Sequence, residues 1–203
     1  MSLATYSDLT TAVQNWMARS DFGVGFMPSL ADLVTLFEAN ANTRLANRRQ
    51  ELTATLTPTA GVVALPTDYL SWRNVVWNGS SPAVLDYVHP TYFSGRWGNG
   101  AQGTPVAFTI IGSNLYVGPL DNTSLTFDYF GTISALSAGA NWLFTNYPNA
   151  YLFGTLAEGF AAIQDLEKAQ IWASRRDAVY ADILQLDART RGPSRIQIDG
   201  PVV

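Results

Sequence analysis

The hydrophobic pattern is strongest over residues 141–191, which predict two helices behind an aromatic entry segment. Asn146 can cap the first helix, because its side chain can accept a hydrogen bond from a backbone N–H that has no partner within the helix. Pro148 suits the first turn, where no backbone donor is needed. Apolar residues then surround most of the circumference: Tyr151, Leu152, Phe153, Leu156, Phe160 and Ile163. A helix that is apolar on nearly every side is buried on nearly every side. In a chain this small, we expect part of that burial to come from another molecule.

The second helix of this pair has one apolar stripe and one polar face. The stripe consists of Trp172, Val179, Ile183 and Leu186. The opposite face consists of Glu167, Gln170, Ser174, Asp177 and Gln185. This division is typical of a helix that packs on one side and meets water on the other. The whole stretch is therefore predicted to be a helical hairpin that serves as a platform.

The N-terminal residues predict two further helices. Ser7 with Asp8 opens a short amphipathic helix. Ser29 and Asp32, whose spacing is close to that of a capping box, begin a second helix that should extend to about residue 47. Its apolar positions recur at helical spacing and are Leu30, Leu33, Val34, Phe37, Ala41 and Leu45. Basic residues gather near its end, where they complement the negative end of the helix dipole: Arg44, Arg48 and Arg49.

From Glu51 the pattern changes to the period of two that is typical of strands. The strand candidates are ELTATLT, VVAL, WRNVVW, AVLDYV, VAFTII, NLYVG and LTFDYF. Turn residues separate them, including Asn78-Gly79, which tolerates positive φ and indicates a hairpin. Short strands at this spacing predict an antiparallel sandwich or open barrel. Residues 89–97 should form a helical turn between strands, and residues 131–140 a linker of small residues back to the helices.

These elements together predict an α+β fold. It consists of an antiparallel helical bundle scaffold with an inserted antiparallel β-sandwich module and an extended C-terminal arm. The predicted parts are scaffold helices over residues 1–50, the sandwich over 51–135, the helical hairpin over 136–191 and the arm over 192–203. The arm lacks helical periodicity and has Gly-Pro pairs on both sides, and its Ile196 and Ile198 can add as a strand to another partner.

The charge content is low for a globular protein. Charged residues make up 14% of the chain, against roughly 25% in typical domains, and residues 51–140 contain only seven of them. Either the surface is covered with Thr, Ser and Asn, or much of it meets other subunits, or both. The net charge of −4 argues against non-specific nucleic-acid binding through a basic face. Eleven of the twelve basic residues are Arg, whose planar fork suits carboxylate pairing at interfaces.

Targeting and covalent signals are missing from the sequence. The first residues, MSLATYSDL, have neither a basic region nor an apolar core, so we expect no signal peptide. No stretch of about 20 apolar residues occurs, so we expect no membrane span. The absence of cysteine excludes a disulfide framework and a thiolate metal site.

Catalytic candidates are few. His89 is the one histidine, and a serine triad would need it with Asp86, but its position before Pro90 favours a turn. Neither a Gly-x-Ser-x-Gly elbow nor a phosphate-binding Gly-x-x-x-x-Gly-Lys occurs. Glu158 is an acid among apolar residues, and we favour an ion pair to an arginine at a packing interface over a glycosidase acid. Three tryptophans are more typical of core or interface anchors than of a sugar-stacking platform: Trp72, Trp77 and Trp97.

Short motifs also occur in a definite order along most of the chain. The first has the spacing Glu-x3-Asn-x2-Leu-x2-Arg-x2-Glu, at Glu38, Asn42, Leu45, Arg48 and Glu51. The next three are residues 65–70 with Arg73, residues 85–90 with Phe93, and residues 103–105 with 108–112. The most specific is residues 141–143 followed by 147–154, Leu156 and Glu158. In this order they resemble the tail adaptor, or head-tail connector, proteins of tailed bacteriophages.

The resemblance implies a structural virion protein of the neck or tail, assembled in the host cytoplasm and without catalytic activity. It implies a homo-oligomeric, dodecameric ring that attaches to the phage portal protein, with the terminal segment reaching into the portal assembly. The ring would extend the channel through which double-stranded DNA passes without sequence-specific binding. It would also provide the docking platform for a tail nozzle or tail-tube protein.

We expect no cofactor, no metal and no membrane contact. The residues expected at interfaces are Arg44, Arg48, Glu158, Arg175, Arg176, Arg195, Ile196 and Ile198. Two other functions remain open at this point. One is a carbohydrate-binding tail module that uses the β insertion, and the other, less favoured, is a peptidoglycan-degrading enzyme.

Overall fold

The computed structural model describes residues 3–191 and divides them into two compact units. The β unit is Arg49–Thr132, and the helical unit consists of the described residues before and after it. The α+β fold class predicted from the sequence is confirmed. Residues 192–203 lie outside the described residues, and with them the predicted arm and its Arg195, Ile196 and Ile198.

The helices are numbered along the chain. They are α1 (Tyr6–Met17), α2 (Leu30–Arg44), α3 (Pro90–Trp97), α4 (Trp142–Asn146), α5 (Pro148–Ala162) and α6 (Leu166–Arg191). Helix α3 belongs to the β unit and the others to the helical unit. Within residues 3–191, none of the helices combines the length and the apolar character that crossing a membrane requires.

Local capping chemistry sets the starts of the first two helices. The Thr5 side chain accepts a hydrogen bond from the Asp8 N–H, and the Asp8 carboxylate accepts one from the Thr5 N–H. Helix α1 therefore begins at Tyr6 with Thr5 as its cap, one residue before the predicted start at Ser7. The same reciprocal pair forms between Ser29 and Asp32, as predicted for α2. Helix α2 ends at Arg44 rather than near residue 47, because Leu45 has an extended conformation.

The entry to the helical hairpin differs from the prediction in one respect. The Asn141 side chain caps the short α4 by accepting a hydrogen bond from the Phe144 N–H, at 2.9 Å. The predicted cap, Asn146, instead lies inside α4 and donates to the carbonyl of Trp142. Helix α5 begins at Pro148 without a side-chain cap. Because proline has no backbone N–H, one fewer donor in the first turn needs a partner.

Helix α5 is the centre of the helical unit, and its predicted burial is confirmed. Its buried residues are Ala150, Tyr151, Leu152, Gly154, Thr155, Leu156, Ala157, Gly159 and Phe160. Helices α1, α2, α4 and α6 all contact it. The expectation that another molecule covers part of α5 is wrong for these positions, because the chain's own helices already bury them.

Two glycines let the neighbouring helices approach α5 closely. A Cβ atom on Gly154 would lie 1.9 Å from the ring of Phe37, which is fully buried on α2. A Cβ atom on Gly159 would lie 2.6 Å from the sulfur of Met17 on α1. Real Cβ atoms do not reach such distances, so α1 and α2 can pack this closely only where α5 has no side chain.

The β unit contains eight strands among its described residues. They are β1 (Glu51–Leu56), β2 (Val62–Ala64), β3 (Tyr69–Trp77), β4 (Ala83–Val84), β5 (Asp86–Tyr87), β6 (Ala107–Ile111), β7 (Asn114–Gly118) and β8 (Leu125–Gly131). They form two four-stranded sheets, in the orders β1-β8-β3-β4 and β2-β7-β6-β5. Both sheets contribute to one hydrophobic cluster, whose buried members are Val75, Leu85, Phe108, Leu115, Val117, Leu125, Phe127 and Tyr129.

The chain changes sheets at Leu85, and this produces a strand pairing that the sequence did not predict. The Leu85 N–H donates to Val75 in the first sheet, and the next N–H, from Asp86, donates to Val106 beside the second. Strand β5 then pairs with β6 in parallel, so the second sheet is mixed rather than antiparallel. A parallel pair needs a crossover connection, and the stretch containing α3 supplies it.

The close approach of Phe37 to α5 gives a first prediction. We expect Gly154→Ala to lower the free energy of unfolding, because overpacking costs about 1–3 kcal/mol and exceeds the helix-propensity gain of about 1 kcal/mol. The matched control is Gly95→Ala in α3, where a Cβ atom would meet nothing within 4 Å. Denaturant unfolding should show a lower midpoint for Gly154→Ala alone. Equal midpoints for the two variants would contradict the close-approach explanation.

Candidate functional site

Two polar side chains on α2 bind the segment at which the chain re-enters the helical unit. The Asn42 amide oxygen accepts a hydrogen bond from the Ile133 N–H, at 2.7 Å. The Glu38 Oε1 atom accepts one from the Leu136 N–H, also at 2.7 Å. Residues four apart lie on the same face of a helix, so one face of α2 holds both backbone groups. This arrangement fixes the first residues of the returning chain against α2.

A buried tyrosine connects the same carboxylate to α4 and α5. The Tyr151 hydroxyl donates to Glu38 Oε1 at 3.0 Å and accepts from the Asn141 Nδ2 atom at 2.6 Å. Asn141 Nδ2 also donates to the carbonyl of Ser134, at 2.7 Å. Burial raises the pKa of Tyr151 above its usual value, and the nearby Glu38 carboxylate raises it further, although the hydrogen bond from Asn141 opposes them. Tyr151 therefore remains a neutral donor.

We call Glu38, Asn42, Asn141 and Tyr151 the return-segment network. Buried polar groups are costly unless they are hydrogen-bonded, and each member of this network has a partner. In the sequence these residues were parts of the resemblance motifs, and Tyr151 was also one of the apolar positions of the hairpin, but none of them was predicted as a site residue. The Glu-x3-Asn spacing was the available signal. It could not reveal the contacts, because Glu38 and Leu136 are far apart in the sequence.

A second polar cluster surrounds Arg176 on α6. This side chain is 7% exposed, and its Nε atom donates to Asp177 Oδ1 at 2.9 Å. Its NH1 atom lies 3.8 Å from Glu158 Oε1 on α5. Glu158 is thus paired with an arginine, as the sequence analysis favoured over a catalytic acid. A buried arginine without its acids would be strongly destabilising, so these contacts hold α5 and α6 together.

Arg44 extends this cluster to α2. Its NH1 atom donates to Asp177 Oδ1 at 2.6 Å, and its guanidinium lies 5.7 Å from the centre of the Tyr180 ring. Burial would raise the pKa of Asp177, but the hydrogen bonds from Arg44 and Arg176 outweigh it and hold that pKa below its usual value. Asp177 was predicted on the polar face of α6, and it serves there as the acid shared by two arginines.

The remaining predicted site residues lie in different places. Arg48 is exposed, and its backbone N–H donates to the Asp187 carboxylate at 3.2 Å. Arg175 is exposed on α6, and its guanidinium lies 4.7 Å from the centre of the Trp172 ring. Arg195, Ile196 and Ile198 are outside the described residues. The structure therefore brings together Arg44, Arg176 and Glu158, and the interface role of the whole set stays a prediction.

An aromatic group is exposed on the helical unit around Arg175. Trp16 of α1 is 48% exposed, and its ring centre lies 5.3 Å from that of Trp172. Trp172 also stacks on Phe153 of α5, at 5.6 Å. We call Trp16, Trp172 and Arg175 the Trp16 patch. Tryptophan and arginine are the residue types that contribute most at protein interfaces, so this patch is a candidate contact surface.

Most of the residues considered for catalysis and for sugar binding have structural roles, but Trp72 is 39% exposed and stacks on the exposed ring of Tyr87 at 5.3 Å. The His89 side chain caps α3 by accepting a hydrogen bond from the Thr91 N–H. Trp97 is buried against Phe93 and is not available to stack on a sugar from solvent. The Trp77 indole N–H donates to the Asp121 carboxylate at 2.6 Å. Among residues 3–191, no group of three or more His, Cys, Asp and Glu side chains is placed to hold a metal ion.

The return-segment network gives a second prediction. We expect Tyr151→Phe to lower the free energy of unfolding by about 1–3 kcal/mol, because it leaves buried polar partners with fewer hydrogen bonds. The matched control is Tyr147→Phe, which removes a hydroxyl outside the network, at the residue before α5. Equilibrium unfolding followed by circular dichroism would measure both variants. If the two lose the same free energy, the Tyr151 hydroxyl is not a stabilising link.

The raised pKa of Tyr151 gives a third prediction, on pH dependence. An unfolded tyrosine ionises near pH 10, whereas folded Tyr151 ionises at a higher pH. Its contribution to stability is therefore complete below about pH 10 and is lost as the pH rises toward the folded pKa. Between about pH 8 and about pH 11, the unfolding free energy of the wild type should fall more steeply than that of Tyr151→Phe. Parallel curves would show that Tyr151 is not held neutral by its surroundings.

Comparison with known proteins agrees with the resemblance that the order of the motifs indicated. No curated protein matches the sequence. The family model of the SU10 adaptor protein matches residues 4–197, which is nearly the whole chain. The matched region includes both units, the return-segment network and the Trp16 patch. The chain therefore belongs to the SU10 adaptor protein family, in agreement with its resemblance to phage head-tail adaptors.

Proposed function

We propose that this protein is a non-enzymatic structural component of the phage neck that forms a dodecameric ring beneath the portal. The ring extends the DNA channel and provides the docking platform for a tail nozzle or tail-tube protein. The observation that carries the proposal is the adaptor-family match over residues 4–197. Family membership supports the role of a phage structural adaptor and virion component. The ring, its copy number, its partners and its assembly in the host cytoplasm are part of the proposal.

The Trp16 patch supports contact between neighbouring subunits. Helix α5 is already buried by its own chain, so a subunit contact must use other surfaces. The patch combines a half-exposed tryptophan with an arginine held over a second indole ring. The contact between the Arg175 guanidinium and the Trp172 ring holds both side chains in place before binding. Less side-chain entropy is then lost when a partner binds. We propose that the patch packs against the next copy in the ring.

The charge of the chain supports a channel through which DNA can move. Each copy has a net charge of −4, and a ring multiplies this charge. Double-stranded DNA is itself a dense line of negative charge, so an acidic lumen repels it instead of holding it. Arg44 on α2 and Arg176 on α6 are already paired with Asp177. They are therefore poor candidates for gripping phosphates as the DNA passes.

The ring proposal is tested most simply by electron microscopy of the purified chain alone and after mixing with the portal protein of the same phage. We expect twelve-fold ring density beneath the portal in the mixture. A chain that stays monomeric with its portal, or that binds it at a single position, would overturn the ring and the portal attachment.

The subunit contact gives a fourth prediction. We expect Trp16→Ala to reduce ring formation on the portal, because it removes the exposed ring of the Trp16 patch. The matched control is Leu36→Ala on α2, another large apolar side chain that is about half exposed but lies outside the patch. Circular dichroism should confirm that both variants fold, and negative-stain class averages would count complete rings. Equal ring counts for the two variants would remove the patch from the subunit contact.

A further inference from the structure

The register of β3 places Trp72 on the inner face of the first sheet. The pairing of β3 with β8 contains two shifts, each of which adds one residue to β3. Tyr69, Trp72 and Val75 therefore lie on one face, although strict alternation would put Trp72 on the other. Shifts of this kind re-aim a side chain. Trp72 consequently points toward the hydrophobic cluster of the β unit, and its ring contacts the buried ring of Phe108.

Trp72 and Tyr87 remain partly exposed in spite of this position. Tyr87 lies on β5, which is the last strand in the sheet order β2-β7-β6-β5. Its ring stacks on that of Trp72, with 5.3 Å between the ring centres, and it also contacts Phe108 at 5.6 Å. Trp72 is 39% exposed and Tyr87 is 43% exposed. The β unit therefore leaves a pair of ordered aromatic rings uncovered at this edge.

An acid without a partner lies beside this pair. The β unit contains five acidic residues. Four of them accept a hydrogen bond or form an ion pair within the unit: Glu51, Asp68, Asp121 and Asp128. The fifth, Asp86, is exposed and has no such side-chain contact among the described residues. We call Trp72, Asp86 and Tyr87 the Tyr87 patch. It combines aromatic area with a negative charge that the chain does not pair.

The Trp16 patch on the helical unit has the opposite charge. Three other arginines of this unit are paired with acids: Arg19, Arg44 and Arg176. Within residues 3–191, no acid pairs with Arg175, whose guanidinium lies over the Trp172 ring instead. Arg175 is exposed, and Trp16 beside it is 48% exposed. The two patches are therefore complementary in charge, and each offers exposed aromatic area.

We propose that the Trp16 patch of one copy packs against the Tyr87 patch of the next copy and that Arg175 pairs there with Asp86, an inference that rests on the proposed ring. A contact between two different surfaces is head-to-tail, the kind from which closed rings are built. Interface residues that contribute most are tryptophan, tyrosine and arginine, and they tend to meet one another across the interface. A neutral sugar would use the rings of the Tyr87 patch but leave its charge unpaired.

The test exchanges the two charges in separate preparations. Arg175→Asp alone and Asp86→Arg alone each place like charges opposite one another at every contact. We expect each variant, mixed with portal protein, to form roughly tenfold fewer complete rings than the wild type. An equal mixture of the two variants should restore the rings, because copies that alternate around the ring join one acid to one arginine at every contact. Negative-stain class averages would count the rings.

The matched control is Asp182→Arg, which makes the same change of charge at an exposed acid of α6 outside both patches. We expect a mixture of Asp182→Arg with Arg175→Asp to restore nothing. Circular dichroism should show that all three variants fold, since each replaces an exposed side chain.

The outcomes separate this contact from the ring itself. Rings restored by the first mixture and not by the control support the inference. Wild-type ring counts for both single variants overturn the contact and leave the ring intact, as does a loss of rings that the first mixture fails to restore. With unchanged ring counts, saccharide binding on a glycan array that Trp72→Ala removes would assign the Tyr87 patch to a sugar. A wild type that forms no rings with its portal refutes both proposals.

Discussion

A single buried carboxylate oxygen, Glu38 Oε1, is the point on which the helical unit depends. It accepts hydrogen bonds from the backbone N–H of Leu136 and from the hydroxyl of Tyr151. The Tyr151 hydroxyl in turn accepts a hydrogen bond from the Asn141 side chain. A chain that leaves a helical scaffold for a long insertion must be held again where it returns, and its backbone groups there must find partners when they are buried. The return-segment network meets both requirements. It fixes the returning segment to α2 and joins that segment to the starts of α4 and α5.

The packing around α5 follows from this arrangement. The aromatic contact between Phe37 and Tyr151, at 4.7 Å between ring centres, lies beside the glycine that admits the Phe37 ring. The apolar helix that suggested an external partner is covered by its own chain, and its acid is paired with Arg176. Surfaces for other molecules must therefore lie elsewhere. The Trp16 patch on the helical unit is a candidate for such a surface.

Local signals in the sequence predicted the elements well. The Ser29 capping box, the Pro148 start and the alternation in β1 each depend on residues close together in the chain, so a short pattern contains the information. Contacts between distant residues were not predictable in this way. The pairing of Glu158 with an arginine was expected on general grounds, but the identity of Arg176 depends on how α5 and α6 pack. The sheet change at Leu85 depends on two backbone hydrogen bonds, one to Val75 in the first sheet and one to Val106 beside the second, which hydrophobic periodicity does not encode. The order of the motifs indicated the family, but it did not show that Glu38 and Asn42 of the first motif bind the returning segment.

Membership of the SU10 adaptor protein family supports the role of a phage structural adaptor. A closed helical core with an exposed tryptophan patch suits the proposed subunit, which binds its neighbours through its surface. The most direct measurement is a cryo-electron microscopy reconstruction of the neck of a virion that carries this chain. The account predicts a continuous ring of this chain between the portal and the tail, with Trp16 buried between neighbouring copies. A chain absent from the neck, or present there as isolated copies with Trp16 exposed, would contradict it.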